Sequence, residues 1–255
     1  MSFSADWLSL RFDADLRARD AGLAKQLADA LPSRDLRILD LGSGTGANLA
    51  ALAPVIDRGQ HWVLTDNDVG LLDQVLPPVG VSCDRLAVDL AGDLSEVFDP
   101  TPDLVTASAF FDLCGPQLID RVVTETFAAR AAFYTVLTYD GREAWSPPHP
   151  MDAEVLDAFH ADQRSDKGLG KALGPDANAY LADRFSEAGY KVLTASSDWL
   201  LDQSQDGELI RALADGSASA VQAALGTATA ESWAKDRRNA AKVMIGHQDL
   251  LALPG

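Results

Sequence analysis

Cysteine is nearly absent from this sequence: Cys83 and Cys114 are the only two in 255 residues. Two thiols build no disulfide framework, and no Cys/His spacing of the zinc-binding kind accompanies them, so the expectation is a cytoplasmic protein without a metal. No apolar run approaches the length of a membrane span, and residues 1–7 lack the basic-then-apolar order of a secretory signal. Positive charge is scarce as well. Lys and Arg number 21 against 38 Asp and Glu, a formal net charge of −17. Binding to nucleic acid by phosphate neutralisation needs a basic face, and no Lys- or Arg-rich stripe is present. The acidity itself reads as a solubility device or the mark of a salty habitat. A small molecule is therefore the expected partner, with neither nucleic acid nor membrane; a free nucleoside is not excluded.

What is present is ample apolar material, 47% of the chain, enough to bury the core of one large α/β domain over residues 1–255. The chain is organised around residues 36–48. Ile38, Leu39 and Leu41 form a short apolar run of the kind a strand buried on both faces shows. Gly42, Gly44 and Gly46 follow at alternate positions, and a helix-forming run begins near Leu49. Strand, glycine turn and helix together make a ligand site: glycine permits the tight turn and close backbone approach, and a helix N-terminus offers unpaired N–H groups. Asp40, just before the turn, would repel a pyrophosphate and suits a ligand with a cationic part. With Ala47 in its third small-residue position, the run also satisfies the dinucleotide fingerprint, so the glycines alone do not choose a cofactor.

Strand-like runs then alternate with helical ones, the signature of a parallel sheet. The runs are 61–66, 85–90, 103–108, 131–139, 191–201 and 241–251. Asp66 ends the second strand about twenty residues after the turn, where a carboxylate accepts hydrogen bonds from both ribose hydroxyls. NAD enzymes share that device. Upstream, residues 4–31 read as helical, with Leu16, Leu23, Leu27 and Ala30 able to share one face.

The segment Asp40-Leu-Gly-Ser-Gly-Thr-Gly46 resembles the first motif of the class I S-adenosylmethionine-dependent methyltransferases, and the strand alternation extends the likeness over most of the chain. The resemblance implies a doubly wound, seven-stranded, mostly parallel sheet. It further implies an N-terminal helical cap (1–33) and helical insertions after strands 5 and 6. It implies S-adenosylmethionine as cofactor, leaving as S-adenosylhomocysteine. The cofactor residues it suggests are Asp40, Gly42, Ser43, Gly44, Gly46 and Asn48 at the turn, Asp66 and Asn67 after the second strand, Asp89 and Leu90 at the adenine, and Ser108 and Ala109 after the fourth strand. Arg11, in the cap, would hold the methionine carboxylate or a substrate anion. Many relatives carry an Asn/Asp-Pro-Pro-aromatic motif after the fourth strand. It is missing here, which disfavours methylation of nucleobase or glutamine amino groups.

Residues 140–176 read as a substrate lid, with a rigid 145–150 turn and glycines near 168–170 that permit hinge motion. A helical insert over 206–240 is open between a dimer contact and a pocket wall. His247, in an apolar run, reads as a core histidine.

Methyl transfer from a sulfonium is an in-line displacement, so the protein chiefly aligns the acceptor and frees its lone pair. Asp112 is the first candidate base, followed by His149 and His160. Tyr139, Asp140, Arg142, Trp145, Arg164 and Lys167 join Arg11 as candidate substrate contacts. The leading expectation is O- or N-methylation of a small molecule. The alternatives are a NAD-type oxidoreductase and a fold relative that binds S-adenosylmethionine without methylating.

Overall fold

The computed structural model describes residues 3–255. The helical N-terminus is two helices, α1 (Ala5–Ala18) and α2 (Ala21–Ala30). They separate because Asp20 caps the second, its side chain accepting from Leu23 N at 2.6 Å, while Arg19 leaves the helix with ψ 138°. The break rotates the faces apart. Leu23 and Leu27 are buried, but Leu16 is 42% exposed and Ala30 is exposed, so the shared face expected from the spacing does not form.

The chain then runs β1 (Leu36–Leu41), α3 (Ala47–Leu52), β2 (Gln60–Asp66), α4 (Val69–Leu72), β3 (Ser82–Ala87), β4 (Leu104–Ser108), α5 (Pro116–Ala129) and β5 (Ala132–Ser146). It continues through α6 (Asp152–Gln163), α7 (Ala177–Glu187), β6 (Lys191–Ser196), β7 (Trp199–Asp202), α8 (Gln203–Leu225), α9 (Thr227–Arg237) and β8 (Lys242–Leu253). The sheet order is β3-β2-β1-β4-β5-β8-β6, with β7 also paired to β8. The first five strands are parallel; β8 runs antiparallel to β5, β6 and β7. β6 and β7 are the two halves of the expected sixth strand, interrupted at residues 197–198.

Strand parity sorts the core into two layers. Ile38 packs in the layer that holds Leu27, Leu49 and Trp62, whereas Leu39 and Leu41 pack with Ile119, Phe133 and Phe185. Successive strand side chains point to opposite faces, so a run with no polar alternation can supply both layers. No helix among the described residues is long and apolar enough to cross a membrane.

Three sequence boundaries move. β3 begins and ends three residues earlier than expected, leaving Asp89 beyond the strand, in a turn that its own Oδ1 closes by accepting from Ala91 N (2.9 Å). β5 continues to Ser146 because β8 pairs with it throughout, with register shifts at 135/138 and 139/143. Residues 140–146 therefore belong to the sheet and not to a lid. The insert is α8 and α9, divided at Gly226 (φ 83°), and it packs on α6, α1 and β7. Trp233 docks it, 1% exposed, with its ring edge-on to Trp145 at 5.5 Å and its Nε1 donating to Asp152 Oδ1 at 2.9 Å.

Replacing that anchor leaves a large cavity and removes the indole hydrogen bond to Asp152 Oδ1. Trp233→Ala is expected to cost ~3–5 kcal/mol of unfolding free energy, measured by urea denaturation; a wild-type midpoint would contradict the docking of the insert described here.

Candidate functional site

A cavity of about 260 Å³ opens beyond the carboxyl ends of β1, β2 and β4, where ligands sit in open α/β sheets. Its floor is the glycine turn with Asn48. One side carries Asp66, Asn67, Val88, Asp89 and Leu90, and the other Ser108, Ala109, Phe110 and Leu113. Its roof comes from α1, through Leu8, Arg11 and Asp15, and from Lys167, Gly168 and Leu169.

The turn needs glycine for space as well as for conformation. Gly42 has φ 64°, and a Cβ there would lie 2.5 Å from the Phe110 ring; at Gly46, φ 81°, it would lie 2.9 Å from Val75 Cγ1. Asp66 braces the turn: its Oδ2 accepts from Gly44 N at 2.8 Å and its Oδ1 from Asp68 N at 3.0 Å. A carboxylate offers roughly four acceptor positions, so two remain for a ligand. Asp89 is exposed at the cavity wall, with Leu90 buried behind it.

Asp40 is placed differently from the expectation. It is fully buried and is not part of the cavity wall. Its parity matches Ile38, so it points into the layer holding α3, where its Oδ1 accepts from Asn48 Nδ2 at 2.9 Å while Oδ2 has no partner. Burial pushes its pKa up to about 7, opposed by the Asn48 hydrogen bond and the Arg19 charge and aided by the Asp66 charge. It reaches a ligand only through Asn48. Gly46 likewise sits behind the wall.

Of the expected substrate contacts, the structure brings Arg11 and Lys167 to the cavity. Arg11 is held rigidly: Nε and Nη2 donate to the two oxygens of Asp15 at 2.9 and 3.1 Å, and its guanidinium lies 4.9 Å over the Trp199 ring. Lys167 pairs with Asp162 at 2.7 Å. Arg142 is drawn outward by Asp140 and Asp198, and Arg164 by Asp176. Asp140 faces Arg142 and Gln248. Trp145 borders a second cavity with Glu143, Phe159 and Trp233.

The three candidate bases separate. Asp112 lies in the short 3-10 turn Phe111–Leu113, beside the wall residues Phe110 and Leu113. It is 8% exposed, is not part of the cavity wall itself, and its Oδ1 has no partner. Burial raises its pKa to about 6, against the pull of its own backbone N–H and the Arg11 charge. His160 lies behind the cavity, its Nε2 3.0 Å from Tyr139 Oη, which donates to Glu143 Oε1 at 2.9 Å. Burial and Arg164 lower the His160 pKa, and burial raises Tyr139 and Glu143. His149 is held away from the cavity in the turn before α6, with Nδ1 accepting from Met151 N at 3.2 Å and Nε2 3.4 Å from Asp236. His247 is buried and kept neutral, its pKa pushed down to about 3 by burial and by Arg11.

Sequence reasoning missed Arg19 and Asp15. Arg19 runs beneath the floor, Nη1 donating to Asn48 Oδ1 at 2.7 Å and Nη2 to Ser108 Oγ at 3.1 Å. Burial lowers its pKa, countered by the charges of Asp15, Asp249 and Asp40. The available signal was Asp20, a helix-capping residue in mid-helix, which marks the break that frees Arg19.

The buried acid Asp40 links stability to pH. In the unfolded chain it ionises near 3.8, in the folded protein near 7. Between those values the folded state binds the extra proton, so stability falls as pH rises from about 4 to about 7 and levels above it, by on the order of 4 kcal/mol. Asp40→Asn is expected to flatten that slope in urea titrations at pH 5 and pH 8; a slope equal to the wild type would show that Asp40 does not titrate there.

No family model matches the sequence, and no curated protein matches it. Solved structures do match. A cyclopropane-fatty-acyl-phospholipid synthase-like protein from Lactobacillus casei superposes with a TM-score of 0.59 at 14% identity, over 99% of this chain and 95% of that one. A mycolic acid cyclopropane synthase complexed with SAH and CTAB gives 0.56 at 14%, over 97% and 94%. A cyclopropane synthase from Mycobacterium tuberculosis gives 0.53 at 12%, over 98% and 94%. At such identities the likeness is one of fold, and it agrees with the strand order and the antiparallel β8. The chain has the fold of the class I S-adenosylmethionine-dependent methyltransferases.

Proposed function

We propose that this protein transfers a methyl group from S-adenosylmethionine to a small-molecule acceptor, at oxygen or nitrogen, in the cytoplasm. One observation carries the reading: Asp66, at the end of β2, and Asp89, in the turn after the neighbouring parallel strand β3, line the same cavity as the glycine turn. The residue types suit an adenosine. Asp66 keeps two lone pairs for ribose hydroxyls, Asp89 offers a carboxylate to an amino group, and Leu71, Val88 and Leu90 supply apolar wall for a base. Arg11 fits a carboxylate, because Asp15 engages only one edge of its guanidinium.

The cofactor, when bound, supplies an electrophilic methyl on an already activated leaving group. The chain's own work is alignment and proton management. Leu8, Phe110, Leu113 and Leu169 give the cavity apolar wall, and the α1 and 167–169 segments over it favour a small acceptor over a macromolecule. Asp112 is the proposed base: it sits behind the wall residues Phe110 and Leu113 with Oδ1 unpartnered, and a pKa of about 6 leaves it ionised at neutral pH. A turn of the 111–113 segment toward the cavity would bring it to an acceptor hydroxyl or ammonium. His160 serves to hold Tyr139.

Calorimetry should show tight binding of S-adenosylhomocysteine and none of NAD; the reverse would select the oxidoreductase reading. Asp66→Ala and Asp89→Ala should each weaken S-adenosylhomocysteine binding by ~1–3 kcal/mol, and unchanged affinity in both would remove the cofactor from this cavity. With labelled methyl donor and a small-molecule extract, label should enter a small product; its absence would favour binding without methylation. On that product, Asp112→Asn should lower kcat, leave S-adenosylhomocysteine affinity intact and abolish the loss of rate below about pH 6. A variant with wild-type kcat would end the role of Asp112 as base.

A further inference from the structure

We propose that Arg19 is a positioning residue that locks the helical cap onto the floor of the cavity, so that docking of the cap and binding of the ligand form one coupled event. The ligand half rests on the cofactor reading above; the docking half does not.

Arg19 is the hinge between roof and floor. Its backbone closes α1, donating to Asp15 O at 3.3 Å. The next residue is tied to the far side of the sheet: Asp20 N donates to Asp249 Oδ2 at 2.9 Å, and Asp249 Oδ1 accepts from Leu137 N at 2.9 Å. The side chain takes the opposite direction, into the ends of α3 and β4. Its two terminal nitrogens divide between Asn48 and Ser108, both in the cavity wall. Upstream on the same helix, Asp15 fixes Arg11 in the roof. One residue thereby joins the cap to the floor at Asn48 and to the side wall at Ser108.

The chemistry of the contacts gives this a purpose beyond stability. A buried cation is costly unless compensated; the acids Asp15, Asp249 and Asp40 surround Arg19, but its hydrogen bonds go to neutral acceptors and its Nε has no partner. Neighbouring negative charge alone would be met by any cation. What arginine adds is its planar fork, which reaches two acceptors at a set separation and which a lysine ammonium does not reproduce. It also sets the Asn48 amide. With Oδ1 held by Arg19, Nδ2 is directed to Asp40 Oδ1 and Thr106 Oγ1, each at 2.9 Å. Releasing Arg19 frees that amide to turn and loosens the floor on which the glycine turn rests.

Arg19→Lys keeps the charge and removes the fork. In ligand-free protein, amide exchange in α1 is expected to quicken by about tenfold while α5 and α7 keep wild-type rates, a local opening. Affinity for S-adenosylhomocysteine is expected to fall by about tenfold, and the slowing of α1 exchange that this ligand produces in the wild type should be lost. Ser108→Ala removes one acceptor and leaves the guanidinium in place; it should show the same α1 signature at smaller amplitude and decides the matter if Arg19→Lys does not fold. Wild-type α1 exchange and affinity in both variants would overturn the proposal, as would an acceleration spread evenly over the whole chain, which marks a merely structural residue. Wild-type protein indifferent to S-adenosylhomocysteine would overturn the cofactor reading, and the ligand-free exchange would still decide the docking.

Discussion

Asn48 stands between a buried cation and a buried acid, and the site depends on that arrangement. Its carbonyl accepts from Arg19 and its amide nitrogen donates to Asp40, so one neutral side chain gives a hydrogen bond to each of two groups whose charge burial penalises. Thr106 and Ser108 complete the set from β4. Four elements, the cap, β1, α3 and β4, meet at these five residues. The glycine turn lies directly above them, and its conformation is held from the other side by Asp66 on Gly44 N. The cavity floor is thus a polar raft set into an apolar core, and its hydrogen bonds give it a definite shape.

The roof has the same logic with a different chemistry. Arg11, Asp15 and Trp199 form a closed group in which Trp199 Nε1 donates to Asp15 Oδ1 at 3.0 Å while the Arg11 guanidinium covers the indole. A flexible arginine is turned into a fixed donor at the cavity edge, which lowers the entropy a bound anion would otherwise have to immobilise. Trp199 belongs to β7, the half-strand after the interruption at residues 197–198, so the split in the sixth strand helps to place the roof. Away from the cavity, Tyr139, Glu143 and His160 form a hydrogen-bonded chain on the extension of β5, next to the helices of the insert. That extension explains why two lid candidates are structural: Arg142 and Trp145 lie in a strand, Arg142 pairing with Asp140 of the same strand and Asp198 of the 197–198 interruption, and Trp145 packing on Trp233 of the insert.

Much of the site was legible in order along the chain. The apolar run before three alternate glycines, and acids at the ends of the second and third strands, are local patterns whose consequence is nearly independent of context. A right-handed crossover brings the carboxyl ends of successive parallel strands to one edge. Asp66 and Asp89 therefore meet although 23 residues separate them. The substrate side was far less legible, because it is built from the cap, a turn after β4 and a loop after α6, which no shared periodicity connects. Arg11 was singled out by its place in the cap and Lys167 by its place in the expected lid; Arg142 and Arg164 looked equivalent to Lys167 in sequence and are turned away by Asp198 and Asp176, partners far from them or across a loop.

By itself, the amino-acid sequence determined the elements and their alternation, since hydrophobic period, glycine and capping residues act within a few positions of themselves. Tertiary structure decided which polar groups face the ligand. Pleat parity turned Asp40 inward toward α3, pairing with β8 more than a hundred residues later carried β5 through to Ser146, and the cap break sent Arg19 under the floor. Each of these outcomes depends on a partner supplied by a distant segment, and the free energy of burying or pairing a charge exists only once that partner has arrived.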